Sequence, residues 1–350
     1  MNIAVFLPNW VGDVVMATPA LRALRNHFAD AHLIGVLRPY VADVLAGTQF
    51  LDEQLFYDPR ARERALGSWS LIRRLRSRRP DMAVLLTNSL RTGMLAWASG
   101  AKRRIGYARY GRGPLLTDKL YHRREDGKYI PSPVLDDYLR LTAAAGCPSE
   151  SPRMDLATTL DDERAAAAVW RRLALPDGNR VVVFNSGGAF GAAKLWPTEY
   201  FAELAARVAN DLGYHVLVVC GPSERKVAAS IVAQSGHPRV KSLAEEPLSI
   251  GLTKACIRRS RLMISTDSGP RHFAAAFDVP VISLFGPTHI AWSENHYPRS
   301  VHLQQDVPCG PCQERVCPLR KHYCMRELTV DRVYAAVAAQ LTEARPAKAA

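Results

Sequence analysis

Apolar residues along this chain fall into short blocks separated by polar, Gly- and Pro-containing stretches. Positions 3–7 are a continuous apolar run that stops at Pro8 and Asn9, which is the length and boundary of a buried strand. The period then lengthens. Positions 14–28 carry apolar residues at helical spacing, 31–37 read as a strand and 41–45 as a short helix. A helix at 68–78, a strand at 82–86, a helix at 92–99 closing near Gly100 and a helix at 134–145 complete the first half. Strands alternating with helices predict a parallel sheet covered on both faces.

Positions 148–158 are polar and turn-rich without an apolar period, and the pattern then starts over. Helices are expected at 161–173, 198–212, 223–234, 248–258 and 271–276, and strands at 180–185, 215–220, 262–265 and 279–285, with a last helix at 330–342. The expected organisation is therefore a Rossmann-like unit over 1–155, a second over 156–330, and a helix with an Ala-rich tail over 331–350. A length of 350 residues supports this, because single cores stop growing near ~250–300 residues.

Hydrophobic residues at 48% and charged residues at 23% are ordinary for a folded protein, so composition changes little. The opening run lacks a basic leader segment and a cleavage signal, and no stretch reaches the ~18–20 apolar residues of a membrane span, so a cytoplasmic protein is expected. Net charge does change the picture. At +13 it asks for an anionic partner: nucleic acid, phospholipid headgroups or a phosphorylated substrate. Nucleic acid is disfavoured, since there is no helix-turn-helix, RNP or finger spacing and the arginines are not interleaved with stacking aromatics. A nicotinamide oxidoreductase is disfavoured too, because Asn9-Trp10-Val11-Gly12-Asp13 stands where G-x-G-x-x-G would follow the first strand.

Four strand ends carry candidate chemistry. The strand ending at Asn185 runs into Ser186-Gly187-Gly188, whose backbone N–H groups suit a phosphate, with Lys194 beside them; a tight turn with a surface lysine is the alternative. Thr266-Asp267-Ser268-Gly269-Pro270-Arg271-His272 joins a strand to a helix. Asp267, Ser268 and His272 there either meet a sugar nucleotide or serve as helix caps and a core histidine. Glu224 follows the strand ending at Cys220, placed for ribose hydroxyls or simply for the helix dipole. Asp13, after the first strand, is a general base or a helix-start carboxylate.

Asn9-Trp10-Val11-Gly12-Asp13 with Met16-Ala17-Thr18-Pro19, the segment from Gly188 and Ala189 to Lys194, Trp196 and Pro197, Thr266-Asp267-Ser268-Gly269-Pro270 with His272, and Leu284-Phe285-Gly286-Pro287-Thr288 together resemble the ADP-heptose:lipopolysaccharide heptosyltransferases. Asn88-Ser89 and Arg104-Ile105-Gly106-Tyr107 resemble the heptosyltransferase II branch. The resemblance implies an α/β GT-B fold, two Rossmann-like doubly wound domains facing across a cleft, with inversion at the anomeric carbon and no cofactor required for catalysis. It implies Asp13 as base and Lys194, Ser186 and Gly187 at the diphosphate. Glu224 falls to ribose, Leu243 to adenine, and Asp267, Ser268, Gly269 and His272 to heptose and phosphate. Asn9, Trp10, Asn88 and Arg104 are the candidate acceptor contacts. ADP-heptose and a Kdo-lipid A type acceptor are the implied partners. Arg60, Arg62, Arg64, Arg73, Arg74, Arg76, Arg78 and Arg79, with Lys102, Arg103 and Arg104, would suit peripheral contact with the anionic inner face of the inner membrane or form a solvated surface. A different acceptor, as in heptosyltransferases I or III, or a non-catalytic basic nucleotide-binding protein are the alternatives.

Three of the seven cysteines, Cys147, Cys220 and Cys256, sit inside apolar segments as buried thiols. Cys309, Cys312, Cys317 and Cys324 form C-x2-C-x4-C-x6-C, which could hold structural zinc or an iron-sulfur cluster, remain as reduced thiols, or form a redox disulfide.

Overall fold

The computed structural model describes residues 1–176, 180–188 and 190–342. They cluster into two compact units, 1–157 with 291–296, and 158–290 with the residues from 297 onward.

The first unit runs β1 (Asn2–Phe6), α1 (Val11–Met16), α2 (Thr18–His27), β2 (His32–Leu37), β3 (Glu53–Phe56), α3 (Ser68–Arg78), β4 (Met82–Leu85), α4 (Leu90–Ala98), β5 (Arg103–Tyr107), β6 (Asp118–Leu120), the small hairpin β7 (Arg124–Glu125) and β8 (Lys128–Tyr129), and α5 (Val134–Ala145). Its sheet has the order β3-β2-β1-β4-β5-β6, and every pairing in it is parallel, with Ile3 opposite Leu33 on one side and Met82 on the other. The order reverses between β1 and β4, which is where open sheets of this kind part at their carboxyl ends. The segment 291–296 joins this unit, with His296 Nε2 2.8 Å from Asp136 Oδ1 of α5.

The expected helix over 14–28 is two helices. Pro19 has no N–H to offer the carbonyl one turn back, Val15 O, and the Thr18 hydroxyl donates to that oxygen instead at 2.7 Å. The short helix expected at 41–45 is a 3-10 turn over Pro39–Val44. On one sheet face Phe6, Ala83 and Leu85 pack with Leu71 and Leu75 of α3 and Leu95 of α4. Burial of each such leucine contributes ~1.5–3 kcal/mol.

The second unit comprises α6 (Leu160–Arg172), β9 (Val181–Asn185), α7 (Thr198–Asp211), β10 (His215–Val219), α8 (Arg225–Ser235), β11 (Val240–Ser242), α9 (Ile250–Arg258), β12 (Leu262–Thr266), α10 (Pro270–Ala276), β13 (Val281–Phe285), β14 (Ser300–Gln304), α11 (Tyr323–Arg326) and α12 (Val330–Thr342). The sheet order β11-β10-β9-β12-β13-β14 repeats that of the first unit, again all parallel. The central strands β9, β12 and β13 are buried throughout, so their apolar runs need no alternation. α12 packs on α7, where Arg207 meets Asp331 at 2.6 Å.

Candidate active site

In the second unit the switch point lies between β9 and β12, and the chemistry gathers at their carboxyl ends. Asn185, the last residue of β9, donates from Nδ2 to Ser265 Oγ at 3.1 Å and Ser268 Oγ at 2.7 Å, tying the two strand ends together. The Thr266 hydroxyl bonds the Gly187 carbonyl. Lys194, nearly buried, donates to Asp267 Oδ2 at 2.5 Å and Asp267 O at 3.2 Å. Thr288 Oγ1 donates to the same carboxylate at 2.7 Å, and Arg271 Nε stands 3.5 Å from its other oxygen. Burial alone would push the Asp267 carboxyl up, but the charges of Arg271 and Lys194 and the two hydrogen bonds outweigh it and hold it at about 2. Burial, reinforced by the neighbouring Arg271 cation, drives the pKa of His272 well below the usual imidazole range and keeps the ring neutral. α10 begins at Pro270 with Gly269 as its N-cap, and the Arg271 N–H donates to Ser268 O at 3.3 Å where the strand-end loop enters the helix. The buried Ser186 hydroxyl has no hydrogen-bond partner among the described residues.

Glu224 lies over this loop. Its Oε2 accepts from the Gly221 N–H at 2.7 Å, and a Cβ placed on Gly187 would meet Glu224 Oε1 at 1.8 Å. Only glycine lets the carboxylate sit there. Leu243, just past β11, is buried, and its N–H donates to Val218 O at 2.9 Å. Trp196 packs against Phe201 and donates from its indole N–H to Leu328 O at 2.8 Å, which anchors the far end of the loop that carries Lys194. On the expectation that this loop takes a nucleoside diphosphate and Glu224 its ribose, Gly187→Ala should push the Glu224 carboxylate aside and weaken ADP binding about tenfold to a hundredfold, the loss of hydrogen bonds to a charged group worth ~1.5–3 kcal/mol, while the unfolding midpoint changes little because only a side-chain end must move. Calorimetric titration with ADP reads this directly; unchanged affinity would take Glu224 out of the expected ribose contact.

In the first unit Asp13 occupies the first turn of α1, at the carboxyl end of β1. Its charge reaches Tyr138 of α5, a buried phenol whose pKa is raised by burial first and then by Asp13 and Asp137. Nearby an open cavity of about 470 Å³ is lined by Leu7, Asn9, Leu37, Tyr57, Ser89 and Thr92, with the cations Arg38, Arg60 and Arg91. Asn9 is at its edge, where Oδ1 accepts from Arg38 Nε at 2.8 Å, and Trp10 is half exposed. Asn88 gives its carbonyl oxygen to Arg112 at 3.0 Å. Arg104 donates to Leu115 O at 2.7 Å and Ala101 O at 2.5 Å, so its guanidinium braces the β5–β6 connection and is not brought to the cavity.

A family model for glycosyltransferase family 9 (heptosyltransferase) matches residues 68–323. The chain belongs to this family. It is 26% identical to a lipooligosaccharide heptosyltransferase 2 of Campylobacter jejuni subsp. jejuni, over 95% of this chain and 96% of that one. It is 34% identical to a lipopolysaccharide heptosyltransferase 1 of Pseudomonas aeruginosa, over 40% of this chain and 38% of that one. Among solved structures, E. coli ADP-heptose lps heptosyltransferase II aligns with a TM-score of 0.78 at 22% identity, covering 97% and 98% of the two chains. That likeness establishes the GT-B fold of two six-stranded parallel sheets. As a family 9 member the protein is a glycosyltransferase, and the cluster around Lys194 and Asp267 lies inside the matched region.

Two buried residues of this family 9 enzyme escape sequence reasoning. Arg112 is 0% exposed and donates to Tyr107 O at 2.8 Å, to Thr87 O and to Asn88, so it holds the β4–α4 loop that walls the cavity. Desolvation pushes its pKa down to about 10, which still leaves it charged at neutral pH. Thr288 was visible only as part of the Leu284–Thr288 motif; its hydrogen bond to Asp267 crosses from the end of β13. Of the readings open for the cysteine cluster, the structural metal is corrected. Cys309, Cys312, Cys317 and Cys324 do line one small cavity; burial is the largest single influence on the Cys317 thiol and pushes its pKa up, but the backbone N–H groups of His322, Leu319, Lys321 and Arg320 together outweigh it and lower the pKa. Yet among the described residues no group of three or more His, Cys, Asp or Glu could hold a metal ion, so structural zinc or a cluster is not supported, and all four are free thiols. Cys147, Cys220 and Cys256 are buried as expected.

Proposed function

We propose that this enzyme transfers L-glycero-D-manno-heptose from ADP-heptose onto the first heptose of the inner core, heptosyl-Kdo2-lipid A, with inversion. The observation that carries the reading is the strand-end cluster of the second unit. A lysine, a buried carboxylate with its own arginine and an orphaned Ser186 hydroxyl converge where a diphosphate sugar would bind. Lys194 and the amides of Ser186 and Gly187 receive the charge that develops on the β-phosphate. Glu224 takes the ribose hydroxyls, the backbone at Leu243 faces adenine, and Asp267, Ser268, Gly269 and His272 form the heptose and phosphate side.

The acceptor hydroxyl oxygen attacks the anomeric carbon of the heptose. Its proton passes to the Asp13 carboxylate as the bond to the β-phosphate oxygen breaks and ADP leaves with the electron pair. No metal or other cofactor takes part in this reading. The cationic cavity lined by Asn9, Arg38, Arg60 and Arg91 suits an acceptor bearing carboxylates and phosphates, and an acceptor anchored in lipid brings the enzyme to the anionic inner face of the membrane. Among the described residues no helix is long and apolar enough to cross it. The likeness to a heptosyltransferase 1 at 34% identity favours a second reading, in which Kdo-lipid A itself is extended.

The test supplies ADP-heptose and purified enzyme with acceptors carrying Kdo alone or Kdo plus the first heptose, in EDTA. Product on the heptose-bearing acceptor only is expected. Product on the Kdo acceptor only would establish the second reading; no product on either would overturn both.

A further inference from the structure

We infer that the outer face of α3 and α4 is a docking surface for an anionic lipid bilayer, into whose interface Trp69 and Trp97 insert. This rests on the reading of the acceptor as lipid-anchored. Both helices bury one side in the same core, Leu71 and Leu75 from α3 and Leu95 and Ala96 from α4. By the helical period, Trp69, Arg73 and Arg76 then face outward on α3, and Leu90, Met94 and Trp97 on α4. Trp69 is 85% exposed, Trp97 61%, Met94 47% and Leu90 42%. Large apolar side chains gathered on two neighbouring helices are a patch, unlike singly scattered ones, and a patch of this kind marks an interaction surface. Arg76 Nε donates to Ala98 O at 2.7 Å, binding the carboxyl end of α4 to α3 and keeping the two exposed rows side by side.

The charge around these side chains selects the partner. Neither α3 nor α4 contains an acidic residue, whereas Arg73, Arg76, Arg79 and Arg91 are exposed on or beside them. Tryptophan and leucine within a ring of arginines fit the headgroup and upper acyl region of a bilayer containing anionic lipid, where the indoles sit at the polar boundary and the guanidinium groups meet phosphates. A protein partner would have to supply acidic groups around an apolar centre. The orientation is useful: Arg91 and Thr92 line the cationic cavity, and Tyr57, another of its walls, has its hydroxyl 3.2 Å from Ser68 Oγ at the start of α3. The helices thus present to the membrane a face whose amino ends border that cavity.

The experiment is flotation of the full chain with phosphatidylcholine vesicles, with and without phosphatidylglycerol. Wild type should float with the anionic vesicles only, and salt should release it. Trp69→Ser with Trp97→Ser should lower partition about tenfold or more. Arg73→Gln with Arg79→Gln should lower it roughly 25-fold, at about fivefold per charge. Both variants should keep wild-type transfer to a deacylated, water-soluble acceptor, which also shows that they fold. Undiminished flotation of the arginine pair, or wild-type binding to neutral vesicles as strong as to anionic ones, overturns the proposal. So does concentration-dependent dimerisation that the tryptophan variant abolishes without any vesicle binding. Failure of transfer by wild type on every acceptor would overturn the proposed reaction instead, with the vesicle result standing by itself.

Discussion

Asp13→Ala should lower heptose transfer by about 10²–10⁴-fold while ADP-heptose binds as it does to wild type. A sugar hydroxyl is a weak nucleophile, and its attack on the anomeric carbon needs a base in place at the moment the oxygen becomes positive. Asp13 stands in the first turn of α1, at the carboxyl end of the central strand of its sheet, whereas the residues proposed for the donor belong to the second unit. Loss of the carboxylate should therefore appear in kcat at saturating donor, with the Kd for ADP-heptose unmoved in calorimetry. Asp13→Asn keeps the shape and hydrogen-bonding capacity but has no basic oxygen, and it should be as inactive as the alanine variant. Near-wild-type turnover in either would remove Asp13 from the role of base.

Lys194→Ala should both weaken the donor complex and reduce kcat, together by about 10²–10³-fold, because in the proposed reaction the ammonium meets the charge growing on the leaving diphosphate. It should also destabilise the fold. Lys194 and Asp267 form a buried pair, and removing one member of such a pair costs ~3–5 kcal/mol by leaving the other uncompensated. Arg271 remains beside Asp267 and limits the loss. The two effects are read separately on the single variant: the unfolding midpoint reports the broken pair, and turnover at saturating donor, measured well below that midpoint, reports the leaving-group role. A variant that is destabilised yet turns over like wild type would mean that the lysine acts only by neutralising Asp267.

Apart from the separate hairpin β7–β8, the strands that the hydrophobic pattern misses lie at or next to a sheet edge. β3, β6, β11 and β14 are the four edges of the two sheets, and β5 is the neighbour of an edge. Glu53-Gln54-Leu55-Phe56 buries only Leu55 fully, and every residue of Ser300–Gln304 is partly exposed, so neither needs a continuous apolar run. β1, β9, β12 and β13 lie inside their sheets and are covered on both faces, which forces the Val- and Ile-rich runs visible in the chain.

The same division holds for the site. Read alone, the chain determines that strands end at Asn185, at Ser265 and beside Asn9, that small residues and a lysine or carboxylate follow them, and that two nucleotide-type folds stand in series. Those are local facts, set by hydrophobic period and by backbone freedom over a few residues. Tertiary structure alone decided that Lys194 meets Asp267 across 73 positions, that Thr288 and Arg271 complete that carboxylate's shell, and that Arg112 pins the loop containing Asn88. It likewise set the Arg104 guanidinium on the Leu115 and Ala101 carbonyls and not in the cavity lined by Arg38, Arg60 and Arg91, and among the described residues it formed no metal-binding group from the four clustered cysteines. These depend on which strand ends the parallel sheets bring together, and distances between side chains far apart in the chain exist only once the sheet has formed.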